Sequence, residues 1–267
     1  MPPRSGREQP DVGALMYHDV IWPGHSAGGI DSSGADVYAV TGERFTAQLD
    51  AIAARVGVSP VRAAELPAAD GGWLLTFDDG GDSNAQAGAA LAERSWPAHF
   101  FIVTDYVGKP GFLDWDGIRA LARQGHVIGS HSHTHPKLMS ALSAAELREQ
   151  WSRSVAILAE ALGAPVTTAS VPGGYYSQAV GEAAAAAGIT TLFTSLPERT
   201  PGRVAGCALI GRYAIRRSTT PAQAAAAAAL DWRAWTRQRA AWELRGVAKR
   251  AGGPAYQRLR RTLLARG

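Results

Sequence analysis

The chain has 267 residues, of which 46% are hydrophobic and 19% charged, which is enough for one large domain with a sizeable core. A single cysteine, Cys207, excludes a disulfide framework within the chain, and the sequence shows neither a secretory signal nor a membrane-spanning apolar run. These features lead us to expect a cytoplasmic protein, and the net charge of +4 conceals an uneven distribution of charge along the chain.

Short apolar runs alternate with helical patterns along the chain. Seven runs are predicted to be buried strands, at 14–17, 73–77, 99–103, 126–128, 168–171, 190–193 and 208–215. Helices are predicted between them, at 43–56, 84–94, 114–123, 143–162 and 178–187. This alternation is typical of a βα barrel or a doubly wound sheet, and in both folds ligands bind at the carboxyl ends of the strands.

The alternation stops near residue 220, so we interpret 1–220 as the main domain and 221–267 as a basic helical extension. From Arg212 onward, thirteen Lys and Arg residues are opposed only by Asp231 and Glu243. Such a region is typical of a solvated helical face or of peripheral contact with an anionic membrane. No nucleic-acid recognition motif accompanies it, so we expect no nucleic-acid partner.

Two adjacent carboxylates, Asp78 and Asp79 of TFDDG, follow the predicted strand 73–77. Neighbouring side chains in an extended or turning backbone point in different directions, so the two carboxylates can serve different tasks. The alternative interpretation is structural, with one aspartate capping a helix and the other in a turn.

Three histidines lie within five residues in HSHTH, directly after another predicted strand. A helical bend would bring His131 and His135 together and turn His133 away. A fully extended segment would instead place all three on one face. We favour the bend, because Gly129 and Pro136 flank the segment.

Two histidines and one carboxylate are a common ligand set for a catalytic zinc that keeps a coordination position open for water. A second carboxylate nearby can take a proton from that water. The two stretches therefore predict one metal site, in which one aspartate binds the ion and the other is a base.

TFDDG and HSHTH resemble the first two motifs of the polysaccharide deacetylases, the NodB-like group called carbohydrate esterase family four. Further resemblance is carried by LMYHDV at 15–20, FLDW at 112–115 and PGGYYS at 172–177, so that it extends over residues 12–215. It implies an α/β fold, a distorted (β/α)7-type barrel. It also implies a metal-dependent hydrolase that removes N-acetyl groups from an acetylated amino sugar by means of metal-activated water.

The resemblance assigns roles to individual residues. Asp78 is expected to be the general base, and Asp79, His131 and His135 are expected to bind one divalent ion, usually zinc. The third family motif resembles Arg-x-Pro-Tyr-Gly, and here Ser170 stands at the arginine position and cannot supply a cation. Gly173 stands at the tyrosine position and can still offer its backbone N–H to the oxyanion.

A second departure concerns the general acid. The family usually carries a late histidine that protonates the leaving amine, but no histidine follows His135. The corresponding strand, LIGRYAIRR, contains Arg212 and Arg216 instead. By position His18, at the end of the first strand, is the best substitute, with a packing role as the alternative. Asp78, once protonated, could also return the proton.

The expected substrate is an acetylated glycan or a lipid-linked or nucleotide-linked amino sugar, reached at the inner face of the membrane. Trp115, Tyr175 and Tyr176 are candidates for stacking on sugar rings, or for packing. Two alternative functions stay open at this point. The same scaffold could cleave a non-sugar amide, or the departures at Ser170 and in the late strand could mark a catalytically silent carbohydrate-binding protein.

Overall fold

A computed structural model of the chain describes residues 10–24, 30, 37–68 and 71–251. The strands are β1 Val12–Tyr17, β2 Val20–Ile21, β3 Val40–Thr41, β4 Gly72–Phe77, β5 His99–Ile102, β6 Val127–Ser130, β7 Thr168–Ser170, β8 Thr191–Phe193, β9 Gly202–Val204, β10 Cys207–Ile210 and β11 Arg212–Ala214. The α-helices are α1 Gly42–Val56, α2 Asn84–Ala92, α3 Trp115–Arg123, α4 Ala144–Leu162, α5 Gln178–Ala186, α6 Pro221–Ala228 and α7 Trp232–Ala251. His25 and Asp31, in the Gly- and Ser-rich segment 22–40, lie outside the described part, as do residues 252–267 of the predicted basic extension.

The main sheet closes into a barrel through its last strand segment. Its order is β11-β1-β4-β5-β6-β7-β8-β10-β9, and all pairings are parallel except that of β9 with β10. Because only Gly211 separates β10 from β11, one continuous segment pairs with β8 through its first half and with β1 through its second. The expected α/β barrel is therefore confirmed, with seven parallel positions around the ring.

The prediction of a single strand over 208–215 is wrong at Gly211. A Cβ at this position would lie 2.5 Å from the carbonyl oxygens of Leu196 and Glu198, which belong to the chain that returns after β8. This close approach admits only glycine and interrupts the strand where it changes partner. The short strands β2, β3 and β9 were not predicted, because two or three residues are too few to show a periodic pattern.

Helix boundaries coincide with residues that cap helix ends. Asp114 accepts a hydrogen bond from the backbone N–H of Gly117 at the start of α3. Ser143 and Glu146 form a reciprocal capping box at the start of α4, and Gly163 ends that helix in the left-handed conformation. These local signals explain why the predicted helices agree with the structure within about two residues.

Alternation along the strands separates the barrel interior from the helical layer. On β4, Leu75 and Phe77 join the large core under the helices, whereas Leu74 joins a second cluster with residues of β1, β5, β8 and β10. The period of two then turns Thr76 and Asp78 to the same inner side as Leu74. The hydrogen bonds between Thr76, Arg212 and Asp78 agree with this orientation.

The first part of the basic extension packs on the barrel. Ala224, Ala225, Ala227 and Ala228 of α6 are buried in the core that also contains Leu49 and Ile52 of α1. The division of the chain at residue 220 stays a prediction. Over the described ranges, none of the helices combines the length and the apolar character that crossing a bilayer requires.

Candidate active site

The candidate site lies at the carboxyl ends of two barrel strands, β4 and β6, which pair with opposite edges of β5. Asp78 and Asp79 follow β4, and His131 follows β6. Gly129 precedes His131 on the inner side of β6, where a Cβ would lie 2.6 Å from the ring of Phe101. The strand can therefore fit beside Phe101 only with glycine at this position, and the next inward residue is His131 at the barrel mouth.

Asp79, His131 and His135 converge as the sequence predicts. Each offers one ligand atom, and these atoms all lie within 4.8 Å of one another. The Oδ1 atom of Asp79 is 3.3 Å from Nε2 of His131 and 3.6 Å from Nε2 of His135. Asp79 adopts a positive φ of 74°, a conformation that costs on the order of 1–3 kcal/mol in a non-glycine residue. This turn separates the direction of its carboxylate from that of Asp78.

The tautomer of His131 suits metal binding. Its Nδ1 atom lies 2.9 Å from the carbonyl oxygen of Ser170, which can only accept, so Nδ1 carries the proton. Nε2 is then the ring nitrogen that is available to bind an ion beside Asp79. Burial lowers the pKa of His131, but Asp78 and Asp79 outweigh burial and raise it. Burial lowers the pKa of His135 to about 4. Two imidazoles and a carboxylate in this arrangement fit a divalent ion such as zinc.

His133 points away from the ligand set, as the bend requires. Its Nδ1 atom is 2.8 Å from the hydroxyl of Thr104, and the side chain is almost fully buried. Ser132 and His135 both have positive φ, so the segment turns rather than extends. The competing extended arrangement of the three histidines is therefore wrong.

The Asp78 carboxylate is held by a cation that comes from an unexpected strand. Arg212, the first residue of β11, donates from Nη1 to Oδ1 at 2.7 Å and from Nη2 to Oδ2 at 2.8 Å. Its guanidinium is fully buried, and Asp78 is only 3% exposed. Burial raises the pKa of Asp78, but the charges of Arg212 and His131 outweigh it and hold this pKa well below its ordinary value.

Ser170, at the position where the family motif has arginine, hydrogen-bonds to both members of this ion pair. Its hydroxyl accepts from Nη2 of Arg212 at 2.7 Å and donates to Oδ2 of Asp78 at 3.2 Å. Sequence reasoning noted that Ser170 cannot supply a cation but gave Arg212 no role. The available signal was the arginine itself, because a guanidinium inside the apolar run LIGRYAI requires a buried anion or acceptor.

His18 lies beside the acidic pair at the end of β1. It is half-buried, and its Nδ1 atom is buried without a hydrogen-bond partner among the described residues. Burial lowers its pKa, while the charges of Asp79 and Asp78 act in the opposite direction. Next to it, burial raises the pKa of Asp19 to about 7, and the hydroxyl of Ser83 donates to that carboxylate at 2.8 Å.

The remaining candidates occupy different surroundings. Gly173 has a φ of 62° in the turn Pro172–Gly174, directly after β7. Tyr175 is exposed beside this turn. Trp115 and Tyr176 are partly buried against hydrophobic clusters, as their packing interpretation proposed. Their contact with a sugar stays a prediction.

Comparisons with known proteins agree with this architecture. Residues 66–192 match the family described as Polysaccharide deacetylase. A chitooligosaccharide deacetylase from Rhizobium leguminosarum bv. trifolii is 35% identical over 97 residues, which are 36% of this chain and 43% of that protein. A gellan lyase from Bacillus sp. is 32% identical over 105 residues, 39% of this chain and 4% of that protein. The chain thus spans less than half the length of these curated relatives.

Solved structures share the fold over most of the chain. IcaB from Ammonifex degensii is 25% identical with a TM-score of 0.66, and the match covers 82% of this chain and 97% of that one. The Streptococcus pyogenes deacetylase PplD in complex with acetate is 20% identical, also with a TM-score of 0.66, over 79% of this chain and 95% of that one. The motifs TFDDG and HSHTH, the barrel and these matches together show that residues 66–192 are similar to the polysaccharide deacetylase family.

Proposed function

We propose that this chain removes N-acetyl groups from an acetylated amino sugar in a glycan or glycan precursor. One observation carries the proposal. A ligand set for a divalent ion, formed by Asp79, His131 and His135, lies directly beside Asp78, a buried carboxylate that Arg212 keeps ionised. Metal-assisted hydrolysis of an amide needs an ion that polarises the carbonyl and, next to it, a base that takes a proton from the attacking water. This arrangement offers a place for the ion and a base beside it.

When bound, a divalent ion would lower the pKa of a coordinated water and polarise the acetyl carbonyl. Asp78 would accept the proton that the attacking water loses. A carboxylate has about four acceptor positions. Arg212 and Ser170 occupy three of them, which leaves one for that proton. The bidentate guanidinium also fixes the plane of the carboxylate, so the base is oriented before substrate arrives.

The leaving amine must gain a proton. His18 is our candidate donor, because its Nδ1 atom has no partner among the described residues and it lies beside Asp78 and Asp79. Asp78 could also return the proton that it accepted. We further propose that the backbone N–H of Gly173 faces the acetyl oxygen, and that Tyr175, exposed at the same rim, stacks on the sugar.

Acetate release tests this function directly. The zinc-loaded protein should release acetate from at least one member of a panel of N-acetylated oligosaccharides and of lipid-linked and nucleotide-linked N-acetyl sugars. Release should stop with a chelator and return with added zinc. Asp79→Ala serves as the control that lacks a ligand. Cyclic ureides are assayed as examples of non-sugar amides, and turnover confined to them would favour the amidase. If zinc-loaded protein turns over none of the acetylated substrates, a silent carbohydrate-binding protein would be favoured.

We also propose that α7 contacts an anionic membrane surface, which would bring the barrel to a lipid-linked substrate. Trp232 and Leu244 of this helix are 59% and 71% exposed. Arg233 and Arg237 lie on the same helix, and neither forms an ion pair within the described part of the chain. Exposed aromatic and cationic side chains together are typical of interfacial helices.

Vesicle sedimentation tests this contact. The protein should sediment with vesicles that contain phosphatidylglycerol, and less so as salt is raised, because added salt screens surface charge. The double variant Arg233→Glu/Arg237→Glu should stay in the supernatant while retaining its thermal stability. Equal sedimentation of both proteins, or equal binding to vesicles of phosphatidylcholine alone, would contradict a membrane role for α7.

A further inference from the structure

The bend that carries His131 and His135 has an unfavourable backbone conformation, which contacts with other residues must stabilise. Ser132 and His135 have φ values of 65° and 53°, in the left-handed region that non-glycine residues rarely occupy. Two hydrogen bonds lie close to the bend itself. Ser130 Oγ accepts from the backbone N–H of Ser132, and Ser132 Oγ accepts from that of His135. The backbone N–H groups of His133 and Thr134 lie between these contacts, and their hydrogen-bond acceptor must come from another segment.

Gln150, on α4, supplies that outside contact. Its Oε1 atom accepts from the backbone N–H of His133 at 3.1 Å and from that of Thr134 at 2.9 Å. Its Nε2 atom donates to the hydroxyl of Thr134 at 3.0 Å. One half-buried amide therefore fixes two consecutive peptide groups, and these lie between the two candidate metal ligands.

The opposite side of the bend is held by the segment after β5. The hydroxyl of Thr104 meets Nδ1 of His133, and the backbone N–H of Asp105 donates to the carbonyl of His133 at 2.9 Å. The bend thus lies between α4 and this segment. Gln150 is the α4 side chain that hydrogen-bonds to the backbone of the bend, while Ser154 of α4 contacts the hydroxyl of Ser130, which precedes the bend. Since α4 packs elsewhere through Leu147, Trp151 and Leu158, the helix does not need Gln150 in order to stay in place.

We infer that Gln150 is a positioning residue for the metal centre, which presets the separation of His131 and His135 so that both can bind one ion. The inference rests on the proposed metal site, but its role is distinct from that of a ligand. A side chain that only supported the fold would change stability when replaced, whereas a positioning residue changes metal affinity.

The test compares zinc affinity and apo-protein melting temperature in three variants of the full chain. Gln150→Met removes the acceptor at similar volume, and Gln150→Glu keeps an acceptor oxygen. Gln238→Met is the matched control, because Gln238 also clamps a backbone, accepting from the N–H of Ala214 and donating to its carbonyl, but touches no metal ligand. Affinity is measured by competition with a chromogenic chelator at high salt, where the added charge of Glu is screened.

We expect Gln150→Met to weaken zinc binding by about 10–100-fold, the range typical of partners that orient metal ligands. Gln150→Glu should stay close to the wild type, and Gln238→Met should lower the melting temperature without changing zinc affinity. Unchanged affinity in Gln150→Met, an equal loss in Gln150→Glu, or an equal loss in Gln238→Met would each overturn the inference. Because no substrate is present, zinc-binding protein that releases no acetate would refute the proposed deacetylation alone.

Discussion

Replacing Arg212 with methionine is expected to lower the free energy of unfolding by roughly 3–5 kcal/mol at neutral pH. Methionine fills much of the same volume but leaves Asp78, which is 3% exposed, as a buried carboxylate without its cation. The substitution also removes the donors to Thr76, Ser170 and the carbonyl of Thr194. Urea unfolding of the metal-free protein measures this loss.

A double variant separates the charge from the packing. Adding Asp78→Asn to Arg212→Met removes the unpaired charge, so part of the lost stability should return although a second residue has changed. The account is contradicted if the losses of unfolding free energy in Arg212→Met and Asp78→Asn simply add in the double variant. It is also contradicted if Arg212→Met alone costs less than about 1 kcal/mol, because the ion pair would then contribute little to stability.

The same pair determines how activity depends on pH. Asp78 must be ionised to act as a base, and the charges of Arg212 and His131 hold its pKa well below the ordinary value, so it stays ionised at neutral and mildly acidic pH. Without Arg212, burial is expected to raise this pKa, and the acid limb of the kcat/KM profile should move to higher pH. An unshifted limb would show that another group limits activity on the acid side.

Asp78→Asn is expected to lower kcat/KM by about 10²–10⁴ while zinc stays bound, because the amide keeps the shape of the side chain but cannot take a proton. Asp79→Asn is the matched comparison, since the neighbouring carboxylate is expected to bind the ion. That variant should lose zinc and turnover together. Elemental analysis and acetate release on both proteins decide the assignment, and full activity of Asp78→Asn would contradict the role of Asp78 as base.

Local signals predicted the site well where it depends on residues that are close in the chain. Asp78 and Asp79 share one turn, and His131 and His135 share one bend, so motif spacing and the Gly and Pro residues around them carried the needed information. The alternation of strands and helices left a barrel and a doubly wound sheet open, and the resemblance to a known family implied the barrel. Residues such as Ser143, which caps α4, mark helix ends locally.

The partner of Asp78 could not be predicted in the same way, because it is 134 residues distant in sequence. Which inward side chain of a barrel meets which other depends on strand register, and no local pattern specifies it. The break at Gly211 shows the same limit, since the carbonyls of Leu196 and Glu198 that impose it belong to another segment. In this chain the cation that holds Asp78 comes from the closing strand, while Ser170 at the third-motif position links the two groups.

The most direct measurement of the central claim is an anomalous difference map from a crystal of the zinc-loaded protein, recorded above and below the zinc absorption edge. A single zinc peak is expected within bonding distance of Asp79, His131 and His135, with the Asp78 carboxylate still paired to Arg212 and not bound to the ion. A peak that includes Asp78 or His133, or zinc bound elsewhere with these ligands apart, would contradict it.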